Sequence, residues 1–156
     1  MEDSKGIHNL MTNFYNSLFQ SSAGSWFNEL MHCVPNRVTA MMNEELVKEY
    51  TEEEVKLALD SIGDLKAPGP NDMPALFYKK FWYTVGKDVA WEVIALLNGG
   101  SMQEGWNDTI VVLIPKIKNP KKLKDLRSTS LCNVVYKIAS KVLSNRLKKF
   151  FLMSSP

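Results

Sequence analysis

Two stretches decide how this chain is read: Thr109-Ile110-Val111-Val112-Leu113-Ile114-Pro115, and Arg127-Ser128-Thr129-Ser130-Leu131 after it. The first is β-branched and apolar and predicts a buried strand. The second is short and predicts a returning strand. Between them, Lys116 to Leu126 forms a basic loop with Pro120 inside it. The pair therefore predicts one antiparallel hairpin, at about 109–115 and 127–131.

Everything around the hairpin reads as helix. Downstream, a long amphipathic helix is expected from about Asn133 to Phe151. At about 100° per residue, Val134, Val135, Ile138, Val142, Leu143 and Leu147 share one broad face. Lys137, Lys141 and Lys148 cluster opposite, while Arg146 falls inside the apolar arc, where it either snorkels or pairs with an acid of the amino-terminal half.

Upstream, Thr51 and Glu54 have the spacing of a capping box, and Glu52, Glu53 and Glu54 complement the helix dipole. A helix follows to Ile62, with Val55, Leu57, Ala58, Leu59 and Ile62 on its buried side and Gly63 as terminator. Pro68-Gly69-Pro70 then imposes a rigid turn. Helices are expected from Pro74 to about Tyr83 and from about Gly86 to Leu97. Nearer the start, residues 5–20 read as an amphipathic helix and Trp26 to Cys33 as another. Residues 36–50 are ambiguous, with a possible helical turn at Asn43–Leu46. The fold class is α+β and mostly helical.

The 156 residues suit one domain or one lobe of something larger. A composition of 45% hydrophobic and 23% charged residues is globular. The net charge of +2 hides a split: residues 1–78 have a balance of −7 and residues 79–156 one of +9. From Lys116 to Lys149 there are 11 basic residues and one acid, Asp125. Such a segment favours a polyanion, most commonly a phosphate backbone. A solvated lysine loop has the same composition. The lysines at 137, 141 and 148 also fit the wet face of a helix. For the loop, the density of the basic run tilts the reading toward phosphates, while for the helix lysines the wet-face reading is preferred.

Several classes drop out. The longest aliphatic run, Ile110 to Ile114, is far short of the roughly 20 residues of a membrane helix, so no membrane partner is expected. No secretory signal pattern opens the chain. Cys33 and Cys132 match neither a disulfide framework nor a zinc site, which points to a reducing intracellular compartment, nuclear or cytoplasmic. Gly69-Pro70-Asn71 is not a nucleotide-binding phosphate loop. Asp60, Asp64 and Asp72 lack metal-ligand spacing, and His8 and His32 lack catalytic partners. Phe81 and Trp82 read as core rather than as base-stacking residues.

Four segments then resemble a known family, the LINE-type (non-LTR) retrotransposon reverse transcriptases, in their plant-like form. Lys66-Ala67-Pro68-Gly69-Pro70-Asn71-Asp72-Met73 looks like "KAPGPDG" and is followed by the aromatic-rich Phe77-Tyr78-Lys79-Lys80-Phe81-Trp82. Val112-Leu113-Ile114-Pro115-Lys116 matches "VLIPK". Arg127-Ser128-Thr129-Ser130-Leu131-Cys132-Asn133 is similar to "RPISLCN". Tyr136-Lys137-Ile138 with Lys141-Val142-Leu143-Ser144-Asn145-Arg146-Leu147-Lys148 resembles "YKI..KVLANRLK". Two departures stand out. Asn71-Asp72 replaces Asp-Gly, and Ser128-Thr129 replaces Pro-Ile.

The resemblance implies a helical linker at 1–43, a partial reverse transcriptase domain of the fingers type at 44–150, and a tail at 151–156. It implies that Arg127 contacts the triphosphate of an incoming nucleotide and that Lys116 faces phosphate on the same hairpin. Lys118, Lys121, Lys122, Lys124, Lys137, Lys141, Arg146 and Lys148 become candidates for the nucleic-acid backbone. The partners implied are RNA or DNA and the palm domain of the parent polymerase. In the complete family enzyme, Mg2+ and deoxynucleotides serve RNA-directed DNA polymerisation. The aspartates that hold the metal belong to the palm, and no Asp or Glu follows Asp125 here. The expectation is therefore a truncated polymerase fragment, inactive alone, with no catalytic residue, metal site or cofactor of its own. A non-catalytic nucleic-acid-binding module, a helical protein–protein adaptor and a degenerate genomic copy remain as alternatives. An isolated fingers lobe is expected to expose apolar surface and to be poorly soluble or partly disordered.

Overall fold

The computed structural model describes residues 4–20 and 38–153. The helix expected at Trp26–Cys33 lies outside the described residues, as do His32 and Cys33. The element order is α1 (Ser4–Phe19), α2 (Ala40–Val47), α3 (Glu52–Asp60), α4 (Ala75–Lys80), α5 (Trp82–Leu97), β1 (Thr109–Pro115), a 3-10 turn (Leu123–Asp125), β2 (Leu126–Cys132) and α6 (Val134–Met153). The two strands form one antiparallel sheet, so the fold is α+β and mostly helical. The ambiguous stretch before Tyr50 contains α2, capped by the Thr39 hydroxyl, which accepts from Met42 N–H at 3.2 Å.

The chain forms two compact units. One comprises Arg37–Val112 and Thr129–Pro156, the other Met1–Asn36 and Leu113–Ser128. In the larger unit the core lies among α3, α4, α5 and α6. Val55, Ala58 and Leu59 of α3 meet Ala75 and Tyr78 of α4, Ala90 and Val93 of α5, and Val134, Ile138, Ala139 and Val142 of α6. The α6 residues recur at helical spacing, so one stripe of that helix is buried. Each fully buried Val, Ile or Leu contributes about 1.5–3 kcal/mol.

The capping box of α3 is complete. Glu54 N–H donates to the Thr51 hydroxyl at 3.3 Å, and Thr51 N–H donates back to Glu54 Oε2 at 3.1 Å. At the other end, Lys79 Nζ closes the helix by donating to Asp60 O, Ile62 O and Asp64 Oδ1.

Three burial expectations are corrected. Leu57 is 65% exposed, because α3 turns its 55–58–59–62 edge to the core and 57 lies off it. On α6, Leu143 and Leu147 are 42% and 46% exposed, so its apolar arc is wider than the surface covering it. Strand β1 forms where expected but is not buried. Ile110, Val111, Val112 and Ile114 are all exposed, at 38–50%. A strand is buried when layers cover both faces, and a two-stranded sheet supplies no such layers by itself. A further correction falls at Phe81, between the fourth and fifth helices: read as core, it is half exposed, while Trp82 packs against the core with its indole across Gly86.

The loop before α4 is a hydrogen-bonded turn. Asp72 N–H donates to Gly69 O at 3.0 Å, and Pro70 presets the bend. The Asn71 side chain accepts from Met73 N–H at 3.1 Å. Asp72 takes a positive φ of 54°, so a residue with a Cβ stands in a left-handed conformation suited to glycine. Asp72→Gly is expected to raise stability by about 0.5–1 kcal/mol, the relieved strain exceeding glycine's extra entropy in the unfolded chain. The urea midpoint reads this, with unchanged m. A lowered midpoint would mean that the carboxylate contributes more than the backbone strain costs.

Candidate nucleic-acid interface

The hairpin tip is organised around its one acid. Asp125 Oδ2 accepts the backbone N–H groups of Lys121 and Lys122 at 3.1 and 3.0 Å. Asp125 N–H donates to Lys122 O at 2.9 Å, and Lys116 N–H donates to Asp125 O at 2.8 Å. Lys116 Nζ reaches Lys124 O at 3.1 Å. The carboxylate thus holds the turn through backbone donors. The side chains of Lys118, Lys121, Lys122 and Lys124 are exposed around it.

The bond from Lys116 to Asp125 sets the register and brings Arg127 opposite Ile114 on one face of the hairpin. The Arg127 side chain is exposed and carries no ion pair among the described residues. Its neighbours Ser128 and Thr129 are compatible with the strand, which runs on to Cys132. Of the basic residues from Lys116 to Lys149, Arg146 alone is in an ion pair among the described residues. The positive charge of the hairpin tip is therefore available to an anion.

On α6 the candidates part company. Lys148 is exposed, Lys137 and Lys141 are half-buried, and Lys137 Nζ donates to Ala67 O at 2.9 Å. Arg146, expected along a nucleic-acid backbone, points inward and is 7% exposed. Its Nε and Nη2 take both oxygens of Glu54 at 2.7 Å each. Nη2 also donates to Glu49 O, and Nη1 to Leu46 O and Lys48 O. The guanidinium carbon lies 3.6 Å from the Tyr50 ring centroid. All five N–H donors are consumed inside the fold, so Arg146 ties α2 and α3 to α6. The hydrogen bonds from Arg146 hold the Glu54 carboxyl below the usual range against the opposing effect of burial, and the Arg146 pKa is raised in turn.

Asn133 carries a structural role that the sequence reading did not assign. It is 7% exposed and sits where β2 passes into α6. Its Oδ1 accepts Asn71 N–H at 3.2 Å, and its Nδ2 donates to Gly105 O at 2.9 Å. One amide thus fastens the Gly69–Asp72 turn and the loop before β1. The available signal was its polarity at a junction between two apolar runs.

Among the described residues, no three His, Cys, Asp or Glu side chains gather as metal ligands. Asp60 pairs with Lys56 and Asp64 with Lys79. His8 is exposed on α1, and Cys132 is a half-buried free thiol. Among the described residues, no helix is long and apolar enough to cross a membrane.

No protein-family model matches the chain. It is 29% identical over 150 residues to a Xenopus laevis protein described as "Transposon TX1 uncharacterized 149 kDa protein". The match covers 95% of this chain and 11% of that protein, so the chain spans about a ninth of its relative's length.

Proposed function

We propose that this chain is a transposon-derived segment corresponding to the fingers of a LINE-type retrotransposon RNA-directed DNA polymerase, and that it binds the phosphates of nucleic acid and nucleotide. The similarity to a transposon protein over nearly the whole chain supports the origin. The four ordered signatures, from Lys66 to Lys148, support the polymerase reading. The observation that carries it is the exposed Arg127 on the hairpin, unpaired among the described residues and next to a tip of exposed lysines.

In this reading, Arg127 offers a planar fork to triphosphate oxygens. Lys116 shapes the tip through Lys124 O and keeps donors to spare. Lys118, Lys121, Lys122 and Lys124 attract the backbone as point charges. Among the described residues no three His, Cys, Asp or Glu side chains gather, and Asp60 and Asp64 are each taken up by a lysine. In this reading, as the resemblance implies, the metal chemistry of polymerisation belongs to a palm.

The test is anisotropy with a labelled RNA–DNA hybrid between 50 and 200 mM salt. Affinity is expected to fall at least tenfold across that range. Arg127→Ala is expected to weaken binding of a fluorescent deoxynucleoside triphosphate while leaving the unfolding midpoint in place. Binding indifferent to salt, or a triphosphate affinity untouched by Arg127→Ala, would sink the reading. The 156 residues alone are expected to give no template-dependent primer extension.

A protein-adaptor reading has its own observation. Tyr83 is fully exposed and Trp91 is 68% exposed, eight positions apart on α5. Exposed aromatics of this kind are common anchors at protein interfaces. A pull-down that resists nuclease and high salt would favour it.

A further inference from the structure

A second cationic surface lies in the larger unit. Lys66, Tyr136, Lys137, Ser140, Lys141 and Ser144 line a groove of about 340 Å³. Its floor includes buried Ile62 and half-buried Cys132. No carboxylate lines it.

The helix builds most of this surface by spacing alone. Tyr136, Ser140 and Ser144 recur every four residues, and Lys137 and Lys141 form the adjacent row. Lys66 arrives from the loop after α3, beyond Gly63. The Lys137 ammonium is already positioned by Ala67 O at 2.9 Å, which uses one of its three donors and leaves two. Lys66 and Lys141 carry no ion pair among the described residues. Three ammonium groups, two serine hydroxyls and a phenol around one trough make a donor-rich set with no fixed anion. A solvated helix face accounts for Lys137 and Lys141 alone. It does not account for a third lysine brought from another element to the same trough.

We infer that this groove is a phosphodiester-binding subsite, in which Lys66, Lys137 and Lys141 hold successive backbone phosphates and Ser140 and Ser144 donate to their free oxygens. The inference rests on the proposed nucleic-acid binding and adds to it a place and a residue, Lys66, outside the hairpin. Recognition here is assigned to the backbone, since the three ammonium groups and two hydroxyls are donors to phosphate oxygen, and the Tyr136 phenol adds one more.

The test uses the full chain carrying Cys33→Ser, so that Cys132 is its sole thiol. A labelled RNA–DNA hybrid is titrated by anisotropy, and maleimide modification of Cys132 is followed with and without the hybrid. Lys66→Ala with Lys141→Ala is expected to weaken binding about tenfold or more and to lower the salt slope by about 2. The hybrid is expected to slow modification of Cys132 severalfold. Lys137 stays unchanged because its bond to Ala67 O gives it a structural share. Unfolding midpoints matching the parent's confirm that the lysine variants fold.

If the hybrid binds but Cys132 stays unprotected and the double variant keeps full affinity, the groove is overturned and the hairpin reading stands. If the hybrid does not bind at all, both fall together. Protection that inorganic phosphate gives equally well, with no slope change for the hybrid, would reduce the groove to a simple anion site and overturn the backbone assignment.

Discussion

Replacing Gly69 with alanine is expected to cost about 3 kcal/mol or more and to remove most of the cooperative unfolding transition. A Cβ built at Gly69 overlaps the backbone nitrogen of Asn133 and comes within 2.5 Å of Asn133 Oδ1 and of the Cys132 carbonyl carbon. Two of these three atoms are backbone, and they sit where β2 becomes α6, so neither can swing aside as a side chain would. The same junction anchors Asn71 N–H and Gly105 O through the Asn133 amide. Moving it would release the turn, the loop before β1 and the start of α6 together. Gly63→Ala is the matched control. The nearest atoms to its Cβ belong to the flexible Lys66 side chain, from 3.4 Å, and the change is expected to stay within about 0.5 kcal/mol. Urea denaturation of the two variants side by side checks this. Equal midpoints would show that the close approach of Gly69 to Asn133 is not a constraint on folding.

Arg146→Met is expected to destabilise by about 3–5 kcal/mol, the range for removing one partner of a buried ion pair. The change leaves the Glu54 carboxylate and the carbonyls of Leu46, Lys48 and Glu49 without their donor, and strips the cation from the Tyr50 ring. Arg146→Lys is expected to recover only part of the loss, because a single ammonium cannot reproduce a bidentate fork plus three carbonyl bonds. The pair also sets a pH dependence. The folded-state pKa of Glu54 is depressed, chiefly by its hydrogen bonds from Arg146. Its stabilisation is therefore fully present above the ordinary glutamate value of about 4.3 and is lost as pH falls through the lower folded value. Glu54→Gln is expected to flatten that acid limb. A neutral-pH midpoint for Arg146→Met equal to the parent's would show that the buried cluster contributes nothing net.

Both predictions connect three of the four motif segments to folding. The glycine of the Lys66–Met73 segment and the asparagine after Leu131-Cys132 are paired by close packing. The arginine of the Lys141–Lys148 segment is paired with the capping-box glutamate of α3. These contacts place part of the motif content in the core, while Arg127 and the tip lysines stay exposed.

Much of this architecture depends on chemistry between near neighbours and could be read directly. Thr51 and Glu54 cap α3 from three residues apart. A β-branched run marked β1, and Pro68-Gly69-Pro70 marked the turn. The charge segregation that singles out the Lys116–Lys149 segment is likewise a property of residue order alone. Partnerships across long chain separations required the fold. Arg146 was conspicuous inside an apolar arc, yet its partner lay 92 residues away. Asn133 meets the turn across 62 residues, and Lys137 meets Ala67 across 70. Exposure of β1, Leu57, Leu143 and Leu147 was also settled in three dimensions, because periodicity reports which residues share a face and packing determines whether anything covers it.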